Sequence, residues 1–230
     1  MSAPRLSLVL PCRNQADHIG RVLPRYLESL ETLGMPFELI VAPNASTDAT
    51  QSIVEDLARR DMRIRVAPNP AGGWGQSVRL GLQAATGAVL GYTNTARSDP
   101  GCLPAFVRRF EGAMPCLVKA RREARHAPVR EIGSLLYNLE ARWLFGIGCR
   151  DINGTPKIFG RQLYEELNLT AEGDLLDLQL VSGAARRGYP ILEIATHGFQ
   201  RHGGKSSTTW KSAWNMYTGA LRLWWNQSAA

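Results

Sequence analysis

Short apolar runs alternate with amphipathic helical patterns along this chain, and this alternation restricts the fold more than any other feature of the sequence. The run "RLSLVLP" (5–11) is almost continuously apolar, as expected of a strand that is buried on both faces. Comparable runs follow at 38–42, 62–68, 88–92 and 115–120. Helical patterns separate them, so the order predicts an α/β fold with a mostly parallel, doubly wound sheet flanked by helices.

The 3.6-residue periodicity predicts the connecting helices. We expect them at about 16–33, after a cap at Ser46 or Thr47, and at 75–86, 102–113, 132–146 and 173–188. The stretch 119–130 contains five Arg or Lys residues and predicts a basic loop, and 190–199 predicts a late strand. We find no repeat or linker, so we predict one domain over 1–206 with an amphipathic helical extension over 207–230.

Composition narrows the class of protein. A chain of 230 residues with 44% hydrophobic residues can bury a full core, which excludes a disordered chain. The net charge of +7 favours an anionic partner, such as a nucleotide, a phosphorylated lipid or a membrane surface, although a basic soluble surface would give the same value. No apolar run reaches the roughly 18 residues that span a bilayer. Because the four cysteines lack zinc-site spacing, we expect a cytoplasmic protein with free thiols, with peripheral membrane contact as an open alternative.

Ligands of doubly wound sheets bind beyond the carboxyl ends of the strands. The stretch "ELIVAPNASTDAT" (38–50) places such a turn directly after a buried strand. The turn contains no carboxylate before Asp48, so it has the position of a ligand site without the usual charge.

Three segments in this part of the chain resemble family 2 glycosyltransferases. "LSLVLPCRNQADHIG" (6–20) is similar to the family's opening strand and turn, and 38–50 is similar to its second strand. "NPAGGWGQSVRLGLQAATGAVLGYTNTARSDP" (69–100) resembles the segment that runs from a Gly-rich helix start to a metal-binding Asp-x-Asp.

Two later segments resemble one branch of that family, the dolichol-phosphate-mannose-synthase-like polyprenyl-phosphate glycosyltransferases. They are "CRDINGTPKIFGR" (149–161) and the stretch 173–206, in which "RHGGKS" matches a terminal Arg-x-x-Gly-x-Ser motif. The resemblance implies a GT-A fold, a nucleotide-sugar or other phosphate-activated donor, and a polyprenyl phosphate among the candidate acceptors.

The family's acidic positions are neutral in this sequence. The nucleotide-binding Asp-Asp pair falls on Pro43 and Asn44, and the Asp-x-Asp falls on Thr93, Asn94 and Thr95. The Glu of the opening motif becomes Gln15, and the acidic residue of the later helix falls near Gln179. Because Mg²⁺ prefers carboxylate oxygens, we expect no metal ligands and no divalent cofactor.

The resemblance still implies a set of site residues. For donor and nucleotide binding, they are Pro11, Asn14, Asn44, Ser46, Asp48, Gly73, Gln76, Thr93, Asn94, Thr95 and Arg121. Without a metal, cationic side chains must stabilise the leaving phosphate, and the candidates that we assign to catalysis are Arg13, Arg201 and Lys205. Lys119 and Arg122 are further cations after the fifth strand.

A carboxylate base is needed only for some acceptors. A hydroxyl acceptor would need one, and we assign Asp177 to that role, with Asp174 and Asp99 as alternatives. A phosphate acceptor is already anionic and needs none.

Two functional classes remain open from the sequence. One is a metal-independent transferase, and the other is a catalytically silent domain that binds a nucleotide, a lipid phosphate or a partner protein. Nucleic-acid binding is not expected, because the cations have no helix-in-groove motif or aromatic sheet.

The tail "TTWKSAWNMYTGALRLWW" (208–225) places aromatic and aliphatic residues on one helical stripe. The stripe fits a membrane interface over 207–225, packing on the domain, or contact with a second subunit in a homodimer.

Overall fold

The α/β alternation is confirmed in the computed structural model of the chain, which describes residues 3–123, 128–196, 202 and 210–228. In these ranges seven strands form one sheet in the order β3-β2-β1-β4-β6-β5-β7. β6 runs antiparallel to both of its neighbours, and the other strand pairs are parallel. The strands are β1 (Leu6–Cys12), β2 (Phe37–Pro43), β3 (Ile64–Val66), β4 (Val89–Tyr92), β5 (Leu117–Arg122), β6 (Lys157–Gly160) and β7 (Ile191–Thr196).

Helices cover both faces of this sheet. They are α1 (Ile19–Glu31), α2 (Thr50–Arg60), α3 (Trp74–Ala84), α4 (Leu103–Glu111), α5 (Pro128–Phe145), α6 (Arg161–Leu167), α7 (Leu175–Arg186) and α8 (Trp210–Ser228), with a 3₁₀ turn at Pro100–Cys102. One core lies under α1, α2 and α4, and the second lies under α3 and α5 to α8. Every residue of β1 and β2 is buried, which explains their continuous apolar sequence. No helix in the described ranges is both long and apolar enough to cross a membrane.

Two sequence predictions about local structure are wrong, and one strand with its following helix was not predicted. The stretch 119–130 is not one basic loop, because its start belongs to β5 and α5 begins at Pro128, with 124–127 outside the described residues. Lys119 is fully buried in β5, where its Nζ donates to Ala120 O at 2.9 Å and lies 3.3 Å from Glu193 Oε1. Buried acceptors therefore allow a charged residue inside a strand, which an apolar pattern does not anticipate.

The second wrong prediction concerns the start of α2, and the elements that were not predicted are β6 and α6. α2 begins at Thr50, whose N–H is bound by Asp48 Oδ1 at 3.0 Å, so neither Ser46 nor Thr47 caps it. β6 and α6 have four and seven residues, too few for their periodicity to be read from the sequence.

A buried ion pair fixes the antiparallel strand at the centre of the sheet. Lys157 Nζ at the start of β6 lies 2.6 Å from Asp177 Oδ1 in α7, and both side chains are almost completely buried. Tyr92 OH in β4 donates to the same oxygen at 2.5 Å. Burial lowers the pKa of Lys157, and the charge of Asp177 opposes that shift. The pair therefore ties β4, β6 and α7 together.

Removing one charge of this pair should destabilise the fold strongly. We predict that Asp177→Asn lowers the free energy of unfolding by about 3 kcal/mol, because Lys157 loses its counter-ion in a buried site. Urea denaturation measures the loss. Adding Lys157→Met should restore at least half of it, and Tyr92→Phe, which removes only a hydrogen bond, should cost about 1 kcal/mol. A loss below 1 kcal/mol for Asp177→Asn would contradict this role of the pair.

Candidate functional site

Hydrogen bonds join the turns that follow β1 and β2. Asn14 N–H donates to Ser46 Oγ at 3.2 Å, and Thr47 N–H donates to Asn14 Oδ1 at 2.8 Å. Asn14 has a φ of 49°, a left-handed conformation that Asn tolerates better than most residues. Ala16 N–H donates to Asp48 Oδ2 at 3.0 Å, so the two turns form one rigid edge.

Asp48 and Arg13 have different positions on this edge. Burial raises the pKa of Asp48, but hydrogen bonds from Thr50 and Ala16 outweigh it, and the pKa lies below its ordinary value. The carboxyl group of Asp48 is therefore ionised, and its oxygens already accept hydrogen bonds from the two turns. Arg13 is exposed directly after β1, where its guanidinium is open to a ligand.

The turn after β4 is a buried network of neutral groups. Thr95 Oγ1 lies 2.8 Å from Gln15 Oε1 and 3.0 Å from Pro11 O, and Thr93 Oγ1 lies 2.6 Å from Ser98 Oγ. Thr93 and Thr95 are completely buried. These two hydroxyl groups are therefore engaged within the protein.

The same turn does not suit a divalent cation. Asn94 Oδ1 accepts the N–H of Ala96 at 2.9 Å, so the three residues at 93–95 offer only neutral oxygens with existing partners. Mg²⁺ and related ions are held in proteins mainly by carboxylates together with phosphate oxygens. Within the described ranges, no group of three His, Cys, Asp or Glu side chains is placed to hold a metal ion.

A cluster of buried polar side chains lies between the end of β2 and the start of α3. Asn69 Nδ2 donates to Ser77 Oγ at 2.9 Å, and Asn69 pairs with Asn44 through the backbone. The Oδ1 atoms of Asn44 and Asn69 are buried and have no hydrogen-bond partner among the described residues. Buried acceptors of this kind normally have hydrogen-bond partners, so this polar cluster suits a ligand that donates N–H or O–H groups.

Gly73 and Gln76 lie beside this polar cluster at the start of α3, where Gly73 O accepts a hydrogen bond from Asn69 Nδ2 at 3.3 Å. Gly73 has a φ of 108°, which only glycine adopts readily, and Gln76 is half-buried. The sequence analysis did not single out Asn69. The sequence does contain an indication of Asn69, because this residue begins the Gly-rich stretch 69–75.

Opposite charges form the far wall of the site. Arg122 binds Asp151 through two nitrogens, each 2.7 Å from a carboxylate oxygen. Asp174 lies half-buried before α7, and burial followed by the charge of Asp177 raises its pKa to about 6, against the charges of Arg122 and Lys157. Such a shift is common at functional sites, since stability alone does not favour it.

Backbone contacts bring this wall to the other turns. A Cβ at Gly75 in α3 would lie 2.8 Å from the backbone N and O of Gly173, so the approach of the loop before α7 requires glycine there. His202 N–H donates to Ala96 O, and its ring Nε2–H donates to Ser98 O, both at 3.0 Å. His202 therefore lies against the β4 turn. Arg201 and Lys205 lie outside the described residues.

The structure brings most of the predicted site residues to one edge of the sheet. At the carboxyl ends of β1, β2, β4 and β5 or in the adjoining turns are Pro11, Arg13, Asn14, Asn44, Ser46, Asp48, Gly73, Gln76, Thr93, Asn94, Thr95 and Arg121. Arg121 is half-buried and pairs with Glu123 at 2.9 Å.

Asp177 is placed differently from these residues. It lies in the core against Lys157 and Tyr92, with 3% of its side chain exposed, so its catalytic role stays a prediction that this geometry does not support. Asp174, which the sequence offered only as an alternative, is the more accessible of the two carboxyl groups.

This sheet and its edge define a GT-A type α/β protein. A model of Glycosyl transferase family 2 matches residues 7–167, and the chain belongs to that family. It is 22% identical over 204 residues to the undecaprenyl-phosphate 4-deoxy-4-formamido-L-arabinose transferase of Pseudomonas fluorescens, with 87% of this chain and 59% of that protein covered. The protein of the same name from Pseudomonas aeruginosa is 23% identical over 201 residues, with 86% and 59% covered. The chain thus spans about three fifths of the length of these relatives.

Solved structures show the same fold. Glucosyl-3-phosphoglycerate synthase from Mycobacterium tuberculosis, in complex with Mn²⁺, uridine diphosphate and phosphoglyceric acid, superposes with a TM-score of 0.76 at 20% identity, covering 96% of this chain and 78% of that one. Its complex with Mg²⁺ and uridine diphosphate gives a TM-score of 0.74 at 19% identity, covering 96% and 79%. At this level of identity the likeness establishes the fold.

Asp174 should reduce the stability of the protein at neutral pH. Its folded pKa of about 6 lies above the ordinary value of 3.8, so folding stability is lost as the pH rises from about 4 to above 6. We predict that Asp174→Asn raises the free energy of unfolding by about 2 kcal/mol at pH 7.5 and changes it little at pH 3.5. Urea denaturation at both pH values measures the difference. An equal effect at the two pH values would contradict the raised pKa.

Proposed function

We propose that this chain is a glycosyltransferase that uses a nucleotide sugar, or another phosphate-activated donor, without a divalent metal ion. The observation that carries the proposal is the neutral, internally bonded turn at 93–95 in a chain of family 2. Donor chemistry of this family builds negative charge on a leaving diphosphate, which needs a positive partner. In this chain the available positive groups are arginine and lysine side chains.

The nucleoside would bind at the polar cluster beside α3. The unpartnered Oδ1 atoms of Asn44 and Asn69 suit the N–H groups of a nucleobase, and Asn44 is one of the two positions where the resemblance implied an aspartate. Neutral acceptors avoid repulsion with the nearby phosphates, which carboxylates would produce. The turns fastened by Asn14 and Asp48 then place the diphosphate beside Arg13.

The acceptor that fits this site best is an anionic one, such as a polyprenyl phosphate. The Pseudomonas relatives are named as undecaprenyl-phosphate sugar transferases, which supports this class. A phosphate oxygen of the acceptor would attack C1 of the sugar, the bond from C1 to the donor phosphate would break, and the nucleoside diphosphate would leave as an anion. Because the attacking oxygen carries no proton, the burial of Asp177 does not obstruct this reaction.

A second candidate is a domain that binds such a ligand without turnover. The hydrogen bonds of Thr93, Thr95 and Asp48 favour this candidate, because the polar atoms of these side chains already have partners within the protein. Binding would persist in that case, and no sugar would be transferred.

Donor binding should be independent of metal ions and dependent on Arg13. Calorimetric titration with nucleotides and nucleotide sugars, each with Mn²⁺ and with EDTA, is expected to give the same affinity for one donor under both conditions. Arg13→Gln should weaken that binding about tenfold, through loss of one charge-assisted hydrogen bond. Arg60→Gln is the matched control, because Arg60 is exposed at the end of α2, at the opposite edge of the sheet.

Binding that requires Mn²⁺ would contradict the metal-independent mechanism. Binding without transfer to any polyprenyl phosphate would support the silent domain instead. Charge reversal by Arg201→Glu should also weaken binding, and an unchanged affinity would remove that residue from the proposed set.

Carboxylates placed in the β4 turn should create dependence on a metal ion. We predict that the double variant Thr93→Asp and Thr95→Asp binds the nucleotide at least tenfold more tightly with Mn²⁺ than with EDTA. The double variant to Asn is the uncharged control of similar shape, and thermal melting verifies that both variants fold. A folded Asp variant without a metal response would show that 93–95 does not correspond to the family's metal-binding turn.

A further inference from the structure

One side chain of α7 holds the loop 168–174, which connects α6 to α7. Gln179 is half-buried, and its Oε1 accepts the N–H of Thr170 at 2.9 Å and the N–H of Ala171 at 2.8 Å. Its Nε2 donates to Thr170 Oγ1 at 3.4 Å. A single amide group therefore binds two consecutive residues of the loop to the helix that follows it.

A second attachment joins the loop to α3. Arg79 in α3 donates from Nη1 to Thr170 O at 3.0 Å. Farther along the loop, a Cβ at Gly75 would lie 2.8 Å from the backbone N and O of Gly173, so the loop lies directly on the first turn of α3. Because Gln179 and Arg79 both bind Thr170, α3 and α7 fix the position of the loop together.

The loop borders the candidate site on two sides. It lies on the turn of α3 that starts after Gly73, whose carbonyl oxygen accepts a hydrogen bond from Asn69 in the polar cluster. Its last residue is Asp174, whose pKa is raised by burial and by the charge of Asp177 and lowered by the charge of Arg122. A displaced loop would therefore change the distance between the polar cluster and the far wall of the site.

The oxygen of Gln179 is occupied by the loop. The resemblance to the family implied an acidic residue near this position. In this chain Oε1 accepts two backbone N–H groups, so it serves the loop and not a ligand. The contact needs an acceptor oxygen, which Gln and Glu both provide and an apolar side chain does not.

We propose that Gln179 is a positioning residue of the candidate donor site, which acts through the loop 168–174 and not by contact with the ligand. The inference rests on the proposed function for the class of that ligand, a nucleotide or nucleotide sugar. With the loop already fixed on α3, donor binding does not have to order it. Loss of the Gln179 oxygen would add that cost and would release Asp174 from its buried position.

Three measurements on Gln179→Leu test this role. The amide hydrogens of Thr170 and Ala171 should exchange with solvent about tenfold faster, because they lose their acceptor. The pKa of Asp174, followed by NMR, should fall from about 6 towards its ordinary value of 3.8, because the released carboxyl group is no longer buried. Calorimetric titration with uridine diphosphate and guanosine diphosphate should show about tenfold weaker binding of the nucleotide that the unmodified protein binds.

Two further variants serve as controls. Gln179→Glu should keep the slow exchange and bind the nucleotide within about threefold of the unmodified protein, because a carboxylate oxygen accepts the same two N–H groups. Gln162→Leu is the matched control for loss of an amide. Gln162 is exposed on α6 and bonds Glu166 of the same helix at 2.9 Å, so this variant should match the unmodified protein in all three measurements.

Unchanged exchange and unchanged affinity in Gln179→Leu would overturn the inference. Losses in Gln179→Glu as large as those in Gln179→Leu would do the same, because the acceptor oxygen would then not be the cause. If Gln179→Leu does not fold, Arg79→Gln takes its place, since it removes only the attachment to α3, and it should also speed the exchange of Ala171 and weaken binding. Absence of nucleotide binding by the unmodified protein would contradict the proposed function, whereas normal binding that Gln179→Leu leaves unchanged would contradict this inference alone.

Discussion

The arrangement at the centre of the sheet depends on the buried ion pair between Lys157 and Asp177. It holds β6, the antiparallel strand between β4 and β5, against α7, and Tyr92 adds a third contact from β4. Neither charge would be tolerated alone in this environment. α7 in turn carries Asp174 at its start and supports α8. One interaction in the core thus sets the far wall of the site and the position of the helix beside it.

The candidate site has neutral hydrogen-bonding groups at positions where the family resemblance implies carboxylates. Thr93 and Thr95 are buried and bonded to Ser98, Gln15 and Pro11, so this part of the edge is preorganised without an ion. Asn44 and Asn69 retain acceptor oxygens without a partner among the described residues, and this is the observation on which the proposed nucleoside position rests. A carboxyl group with a raised pKa remains at Asp174. In the function that we propose, the positive charge at this site comes from side chains.

The sequence predicts the sheet well where its strands are buried on both faces. β1 and β2 were placed within one residue at each end, because their apolar runs have few alternatives. The sequence does not predict the environment of a residue whose partners are distant in the chain. From the sequence alone, Lys119 and Lys157 would be assigned to the surface. In the fold they are buried, because Glu193 and Asp177 pair with them. For the same reason, the burial of Asp177 could not be predicted from its position in a helical pattern.

We propose that the turn at 93–95 leaves the donor site without a divalent metal ion. This can be tested with a crystal structure of the protein soaked with Mn²⁺ and the nucleotide that it binds, with data collected at the manganese absorption edge. We expect nucleotide density beside Asn44 and Asn69, with the diphosphate near arginine or lysine side chains and no anomalous peak beside it. An anomalous peak between the diphosphate and Thr93, Asn94 or Thr95 would show that the site does bind a metal ion.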